Sequence, residues 1–558
     1  MAEIKLVPRS EVDPSITWDM TLLYPSDEAF YTELENLKTE MKAFKEKYEN
    51  NLGDLEVLDE AIRQYEAIEL AVYRASHYAE LPMTVDRLNP KVVENATAFE
   101  AVSVSYAENM SFVMTEIISL DEAFLNKFVT EKRPDLAYFV EKVIRQKKHT
   151  LSKDAEQVLS NLSSLPGFYQ LYEVTKHEDM QFESFEANGK TLENSFVLYE
   201  NLHEMDPDKE VRRAAAKSFY KTLNAYKNTV ANEYISELKK EKMMATMRGY
   251  DSVIDYLLDD QDGDRELYDR QIRMLMTDLA PHMQRYIKLL AKEHGISDMQ
   301  FMDAKINLDP EFEVDMTIEE SREYLKKALG ILGEDYKAMI DESYDKRWTD
   351  FPQNIGKSTG GFCATVPNVA GFILLSWTGK MNEVFVLAHE LGHAYHFMST
   401  GKHQSILNNE CSLYFVEAPS TCNEVIVSNY LLKTSTDARF KRWVISNMIS
   451  RTYFHNMVTH YMEAVYQDRI YKMIDNNEML NADVLSNVKK EVMQEFFGDS
   501  LVVNDGAELT WMRQPHYYMG LYPYTYSAGL TIGTAIANQI EENPEHAKVW
   551  LDTLSKGG

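Results

Sequence analysis

The sequence predicts a mainly helical protein with a small amount of β structure, and three observations set that expectation. Phe30, Leu34, Leu37, Met41, Phe44 and Tyr48 advance by alternating steps of four and three, the repeat of one helical face. Glycines and β-favouring residues replace helix formers in one region, 356–380, with a shorter hairpin pattern near 182–192. The stretch Glu383–His396 spaces its polar groups so that they converge only on a helix.

Taken in order, Pro25-Ser26-Asp27-Glu28 starts the first helix, with Ser26 as cap and acids at the positive end of the dipole. Gly53 marks its end, and residues 54–81 and 86–131 read as further long helices whose apolar stripes form helix–helix core. The basic run Arg145–Ser152 precedes another capped helix and reads as a solvated helix end. Asn188-Gly189 centres the hairpin near 182–192. That island of β structure sets an expected boundary between an N-terminal helical region, 1–180, and a catalytic region, 181–558. Asp206-Pro207-Asp208 opens a helix carrying Arg212 and Arg213, and helical patterns continue to about residue 345. Region 356–380 reads as two strands with a Gly/Pro/Asn connection. An edge strand there offers hydrogen bonds to an extended peptide, which makes Gly360, Gly361 and Phe362 candidate substrate-binding residues. The chain stops at Lys556-Gly557-Gly558 straight after an apolar helical segment, which reads as a shortened C-terminus.

Composition narrows the partners. A net charge of −31, from 58 basic and 89 acidic residues, disfavours nucleic acid and anionic membranes. Cys363, Cys411 and Cys422 form no C-x-x-C pair, as expected in a reducing compartment. The first residues lack the apolar core of a signal peptide, and no apolar run approaches the roughly 20 residues of a membrane span. A soluble cytoplasmic protein is expected, with monomer and homodimer both open.

The chemistry sits in His389-Glu390-Leu391-Gly392-His393. Four helical residues advance about 400° and about 6 Å, so both imidazoles project from nearly one face and suit a single zinc ion. Glu390 is placed to act as general base toward water. Gly392, costly inside a helix, predicts a close neighbour. With 14 histidines in 558 residues, such a pentad arises by chance roughly 0.06 times, so a third ligand decides the matter. Pro419 fits a first helical turn, which puts Glu417 near a helix start and Glu424 seven residues on, along the same face. Glu417 is assigned as third ligand and Glu424 as the group orienting a ligand imidazole, with Glu410 the weaker alternative. Cys422 reads as a buried thiol, and His455 and His460 as scaffold. His516 to Tyr526 crowds five tyrosines and one histidine into 11 residues. Phenol and imidazole donors there suit the oxyanion formed when water attacks a carbonyl.

These motifs resemble peptidase family M3. The matching residues are His389-Glu390-Leu-Gly-His393-Ala, Phe415-Val416-Glu417-Ala418-Pro419-Ser420 with Glu424, the His516 and tyrosine segment, Gly360-Gly361-Phe362, and His149-Thr-Leu-Ser152. The resemblance covers roughly residues 145–530. It implies a two-lobed helical zinc-peptidase fold around a deep substrate channel, with a small β-sheet beside the His-Glu-x-x-His helix. It also implies internal cleavage of short unstructured peptides. Carried over by motif, His389, His393 and Glu417 bind one Zn2+, and Glu390 is the base. Glu424 stands behind the ligands, while His516 and one or more of Tyr522, Tyr524 and Tyr526 face the substrate. Tyr526 is the first choice as oxyanion donor. A helical zinc carboxypeptidase and a peptide-binding protein without turnover remain as alternatives.

Overall fold

The apolar stripe of the first long helix dictates how the N-terminal region packs. In the computed structural model, which describes residues 7–162, 165, 167–358 and 360–557, this helix runs Asp27–Tyr48 and buries all six stripe residues. Ser26 caps it by accepting from the Ala29 amide. It ends at Tyr48, five residues before Gly53. The next helix, Leu55–Val85, is capped by Asp54. The long pattern expected over 86–131 is broken into Pro90–Met110, Phe112–Ser119 and Glu122–Glu131. The physical reason for the last break is Asp121, whose carboxylate accepts from the amides of Ala123 and Phe124 and so starts a new helix.

Two hydrophobic cores result. The first joins the N-terminal helices, residues 18–143, to residues 316–457 and 530–554. The second gathers residues 172–308 and 454–524. The region 181–558 therefore contributes to both cores, and the division expected near residue 180 does not separate them. His149 is stacked on Tyr250 with ring centroids 3.9 Å apart, its Nδ1 against the Arg248 carbonyl.

The expected hairpin pairs Phe185–Ala187 antiparallel with Lys190–Leu192. Asn188 and Gly189 both take left-handed backbone (φ 50° and 71°), the turn geometry that matches strand twist. The helix Lys209–Met247 follows, capped by Asp208, and its Arg212 and Arg213 both grip the buried Asp303.

Glu241 of that helix is buried in the second core and accepts from the Tyr471 hydroxyl at 2.8 Å. Burial, with the charge of Glu237 added, pushes its carboxyl up to about 8. The folded chain thus keeps a proton that the unfolded chain gives up above its ordinary value of 4.5. The sign follows: this group's stabilisation is complete below 4.5 and is lost as pH rises toward 8. Glu241→Gln should raise the thermal midpoint by about 2 °C at pH 8 and by less at about pH 5.5. Equal shifts at the two pH values would contradict the assignment.

The second β element is a three-stranded sheet. Ala370–Leu374 is central, paired in parallel with Thr349–Asp350 and antiparallel with Phe362–Val366. The two longer strands match the expectation for 356–380; the two-residue third strand was too short to signal itself. Trp18 donates its indole N–H to the Ile373 carbonyl, tying the N-terminal segment to this sheet. Glycine sets the sheet against the helix Met381–His403: a Cβ on Gly371 would stand 2.8 Å from the Ala394 Cβ. Phe362–Val366 is the longer of the two edge strands, the other being Thr349–Asp350. Among the described residues no helix is long and apolar enough to cross a membrane.

Candidate active site

Three helices meet at the site, brought together by residues without side chains. A Cβ on Gly392 of the helix Met381–His403 would lie 2.6 Å from the Pro419 carbonyl oxygen and 2.7 Å from the Ser420 nitrogen. The predicted close neighbour is thus the start of the helix Ala418–Thr434. On the other side of that helix, Gly529 and Gly533 admit the helix Tyr522–Glu542, since a Cβ on Gly529 would lie 2.5 Å from the Glu417 Cβ. Asn423 adds a buried clasp, donating to the Ala388 carbonyl at 2.8 Å. Glu417 therefore stands at a helix start, held between two other helices.

This packing makes His389 Nε2, His393 Nε2 and Glu417 Oε2 converge, with the carboxylate oxygen 3.3 and 3.4 Å from the two nitrogens. A tetrahedral ion with ligands at about 2.0–2.1 Å sets them about 3.3–3.4 Å apart, so the donor set fits zinc in type and in spacing. Glu424 Oε1 meets His389 Nδ1 at 2.7 Å, which holds the proton on that nitrogen and turns Nε2 toward Glu417, where a metal would take the place of a proton. Thr452 donates to the other Glu424 oxygen. Ser420 steadies Glu417 Oε2 at 3.0 Å. Burial alone would depress the His389 imidazole, but Glu417 and Glu424 hold it well above its usual range. Conversely, the two imidazoles hold Glu417 well below the usual carboxylate range despite burial. Glu410 is exposed and Cys422 is a buried free thiol; neither joins this cluster.

Glu390 is buried, and burial raises its carboxyl, which increases its affinity for a proton. Its Oε1 would be 3.3 Å from a Cβ on Gly361, so the edge strand approaches the carboxylate because Gly361 carries no side chain. These groups line a cleft of about 700 Å³ that also includes Phe362, Tyr522 and Tyr526. Gly360 is an exposed left-handed turn residue (φ 85°) just before the strand.

The tyrosine segment divides. Tyr522 and Tyr526 line the cleft, whereas Tyr524 is buried in the second core against Tyr268 and Tyr414. On a helix, positions 522 and 526 share a face and 524 points away, so the expected cleft role of Tyr524 is corrected by simple periodicity. His516 stands behind the wall, stacked on Tyr522 at 5.2 Å, with Nε2 3.3 Å from the Tyr526 hydroxyl. Burial pulls its imidazole down to about 4, so it is neutral. Its Nδ1 is buried without a partner among the described residues. A bare acceptor is tolerated there better than an orphan N–H, so the proton sits on Nε2 and is donated to Tyr526. The Tyr526 hydroxyl proton is then left for the cleft.

The reading of His455 and His460 as scaffold holds for one of them. His460 is buried, bonded to Glu463 at 2.7 Å, and stacked on Tyr526 with centroids 4.0 Å apart. His455 is exposed and lines the cleft, its Nε2 3.1 Å from that of His460. The segments Met448–Tyr453 and His455–Thr459 are π-helical, and that wider turn shifts side-chain direction away from the 3.6 repeat used to read the sequence.

The helical scaffold gathers two imidazoles and a carboxylate at the spacing of metal ligands, beside a second buried carboxylate in one cleft, which is the make-up of a metallohydrolase site. Comparison with known proteins gives the family. The model of Peptidase family M3 matches residues 202–558, and that of Oligopeptidase F matches residues 116–182. The chain belongs to peptidase family M3. It is 28% identical to Oligopeptidase PepF of Bacillus subtilis over all of this chain and 84% of that protein. It is 27% identical to the Oligoendopeptidase F homolog of Borreliella burgdorferi, over 99% of this chain and 93% of that one. Its fold superposes on oligoendopeptidase-F from Enterococcus faecium with a TM-score of 0.72 at 20% identity, covering 95% and 92% of the two chains.

Proposed function

We propose that this chain is a zinc-dependent endopeptidase that hydrolyses short unstructured oligopeptides in the cytoplasm. The observation that carries the reading is the convergence of His389, His393 and Glu417 beside the buried Glu390, under a free strand edge. His389, His393 and Glu417 would hold zinc, which when bound supplies Lewis acidity toward water and the scissile carbonyl. The chain's own groups do the rest. An extended peptide pairs with Phe362–Val366, and Gly361 lets its backbone lie against Glu390. Glu390 takes the proton from the attacking water and returns it to the leaving amine. Tyr526, its oxygen held by His516 Nε2–H, donates to the oxyanion. Tyr522 forms the adjoining wall. Two hydrophobic cores with this cleft between them suit a two-lobed enzyme whose channel admits strands and excludes folded domains. The three free cysteines suit a reducing compartment.

Tyr526→Phe tests the oxyanion assignment. It should lower kcat by about 10²–10³-fold while leaving KM and bound zinc nearly unchanged. A raised KM with unchanged kcat would make Tyr526 a binding group instead.

A further inference from the structure

The cleft carries a cation that nothing in the metal site or the oxyanion pair uses. Arg451 lines the cleft together with Asn382, Asn447 and Ser450. Its Nε is buried and has no hydrogen-bond partner among the described residues. Its Nη2 has only the Met205 sulfur, at 3.9 Å. The acids whose charge reaches it are Glu383 and Glu313, and both are engaged elsewhere. Glu383 accepts from Thr378 Oγ1 at 2.7 Å and from the Lys380 amide at 2.8 Å, and Glu313 pairs with Lys380 Nζ at 2.8 Å. Lys305, the lysine of the cleft, is paired with Glu204 at 2.7 Å. Among the described lysines and arginines of the cleft, Arg451 alone lacks an anionic partner.

A guanidinium half removed from water and left unpaired is expensive, and it stays charged at any working pH. Its planar fork matches a carboxylate. The remainder of the cleft is acidic, with Glu200, Glu204, Glu383, Glu390, Glu417 and Glu424 along it. A carboxylate entering with a peptide is repelled along that wall and attracted at Arg451. We propose that Arg451 binds a carboxylate of the peptide substrate and so fixes how far the chain advances past Glu390. The inference rests on the peptidase reading above. Two sources supply that group: the free C-terminus, or an Asp or Glu side chain.

One peptide of about ten residues, roughly 33 Å when extended, is prepared in three forms. These are the free acid, the C-terminal amide, and the amide with one glutamate near its C-terminus. Affinity is measured calorimetrically on zinc-loaded Glu390→Gln protein, and cut positions by mass spectrometry on the unaltered enzyme. At least one carboxylate-bearing form should bind about 10- to 100-fold more tightly than the plain amide, and Arg451→Gln should shrink that preference to about two-fold or less. Arg451→Lys, which keeps the charge and loses the fork, should fall between. Preference for the free acid alone assigns the C-terminus; preference for the glutamate amide alone assigns a side chain. Equal binding of all three forms with Arg451 in place overturns the inference even if the variants fail to fold, as does a preference that survives Arg451→Gln. Equal binding with continued cleavage sinks this inference only, whereas no binding and no cleavage of any form sinks the peptidase reading with it.

Discussion

Glu390→Gln should retain bound zinc and the fold while losing turnover by up to about 10⁴-fold, the upper range for removing a positioned acid–base group. The expectation rests on burial. The carboxylate is enclosed, lies against Gly361 of the strand approach, and has its proton affinity raised by desolvation. An amide of the same shape fills the same space, so packing is preserved and only proton transfer is removed. The measurements are metal content, the thermal midpoint and single-turnover cleavage of one peptide. Loss of zinc along with turnover would place Glu390 among the ligands, and near-normal turnover would remove it from the chemistry.

Gly392→Ala should also be damaging, although it alters no side chain of the metal site. Intrinsic propensity favours alanine by about 1 kcal/mol in a helix interior. Here the added methyl would meet Pro419 and Ser420 backbone at 2.6–2.7 Å, and backbone cannot swing aside as a side chain can. Overpacking costs about 1–3 kcal/mol, and an unyielding backbone obstacle puts this site in the upper part of that range, so the clash outweighs the propensity gain. Relief requires the start of Ala418–Thr434 to shift, which carries Glu417 away from His389 and His393. The expected result is a lower thermal midpoint with zinc affinity reduced about 10- to 100-fold. Gly53→Ala is the control, because nothing lies within 4 Å of its added methyl. Equal stability and zinc affinity in the two variants would show that the helix contact does not position Glu417.

Much of the site was legible because each residue carries a local signal. His389, Glu390 and His393 declare themselves by helical spacing, and Pro419 marks where a helix can begin, which puts Glu417 and Glu424 in register. The edge strand showed as a shift to glycine and β-branched residues, and the N-terminal stripe as a 3.6 repeat. What stayed hidden depends on long-range contact or on departures from the ideal helix. The sharing of the first core between residues 18–143 and the His-Glu helix has no local sequence mark. Asp121 starts a new helix through its side chain within an otherwise continuous apolar pattern. His455 and Arg451 reach the cleft from π-helical turns, where counting at 3.6 residues misplaces side chains. Tyr524 was the opposite case, since periodicity alone separates it from Tyr522 and Tyr526.

The central claim is metal-dependent internal cleavage, and the most direct test is mass spectrometry of a peptide of about ten residues blocked at both ends, roughly 33 Å when extended. The protein is loaded with zinc and assayed with and without o-phenanthroline. Cuts at internal bonds are expected, abolished by the chelator and restored by zinc. An intact peptide, with one zinc ion per chain confirmed by elemental analysis, would contradict it and leave a protein that binds peptides without cutting them.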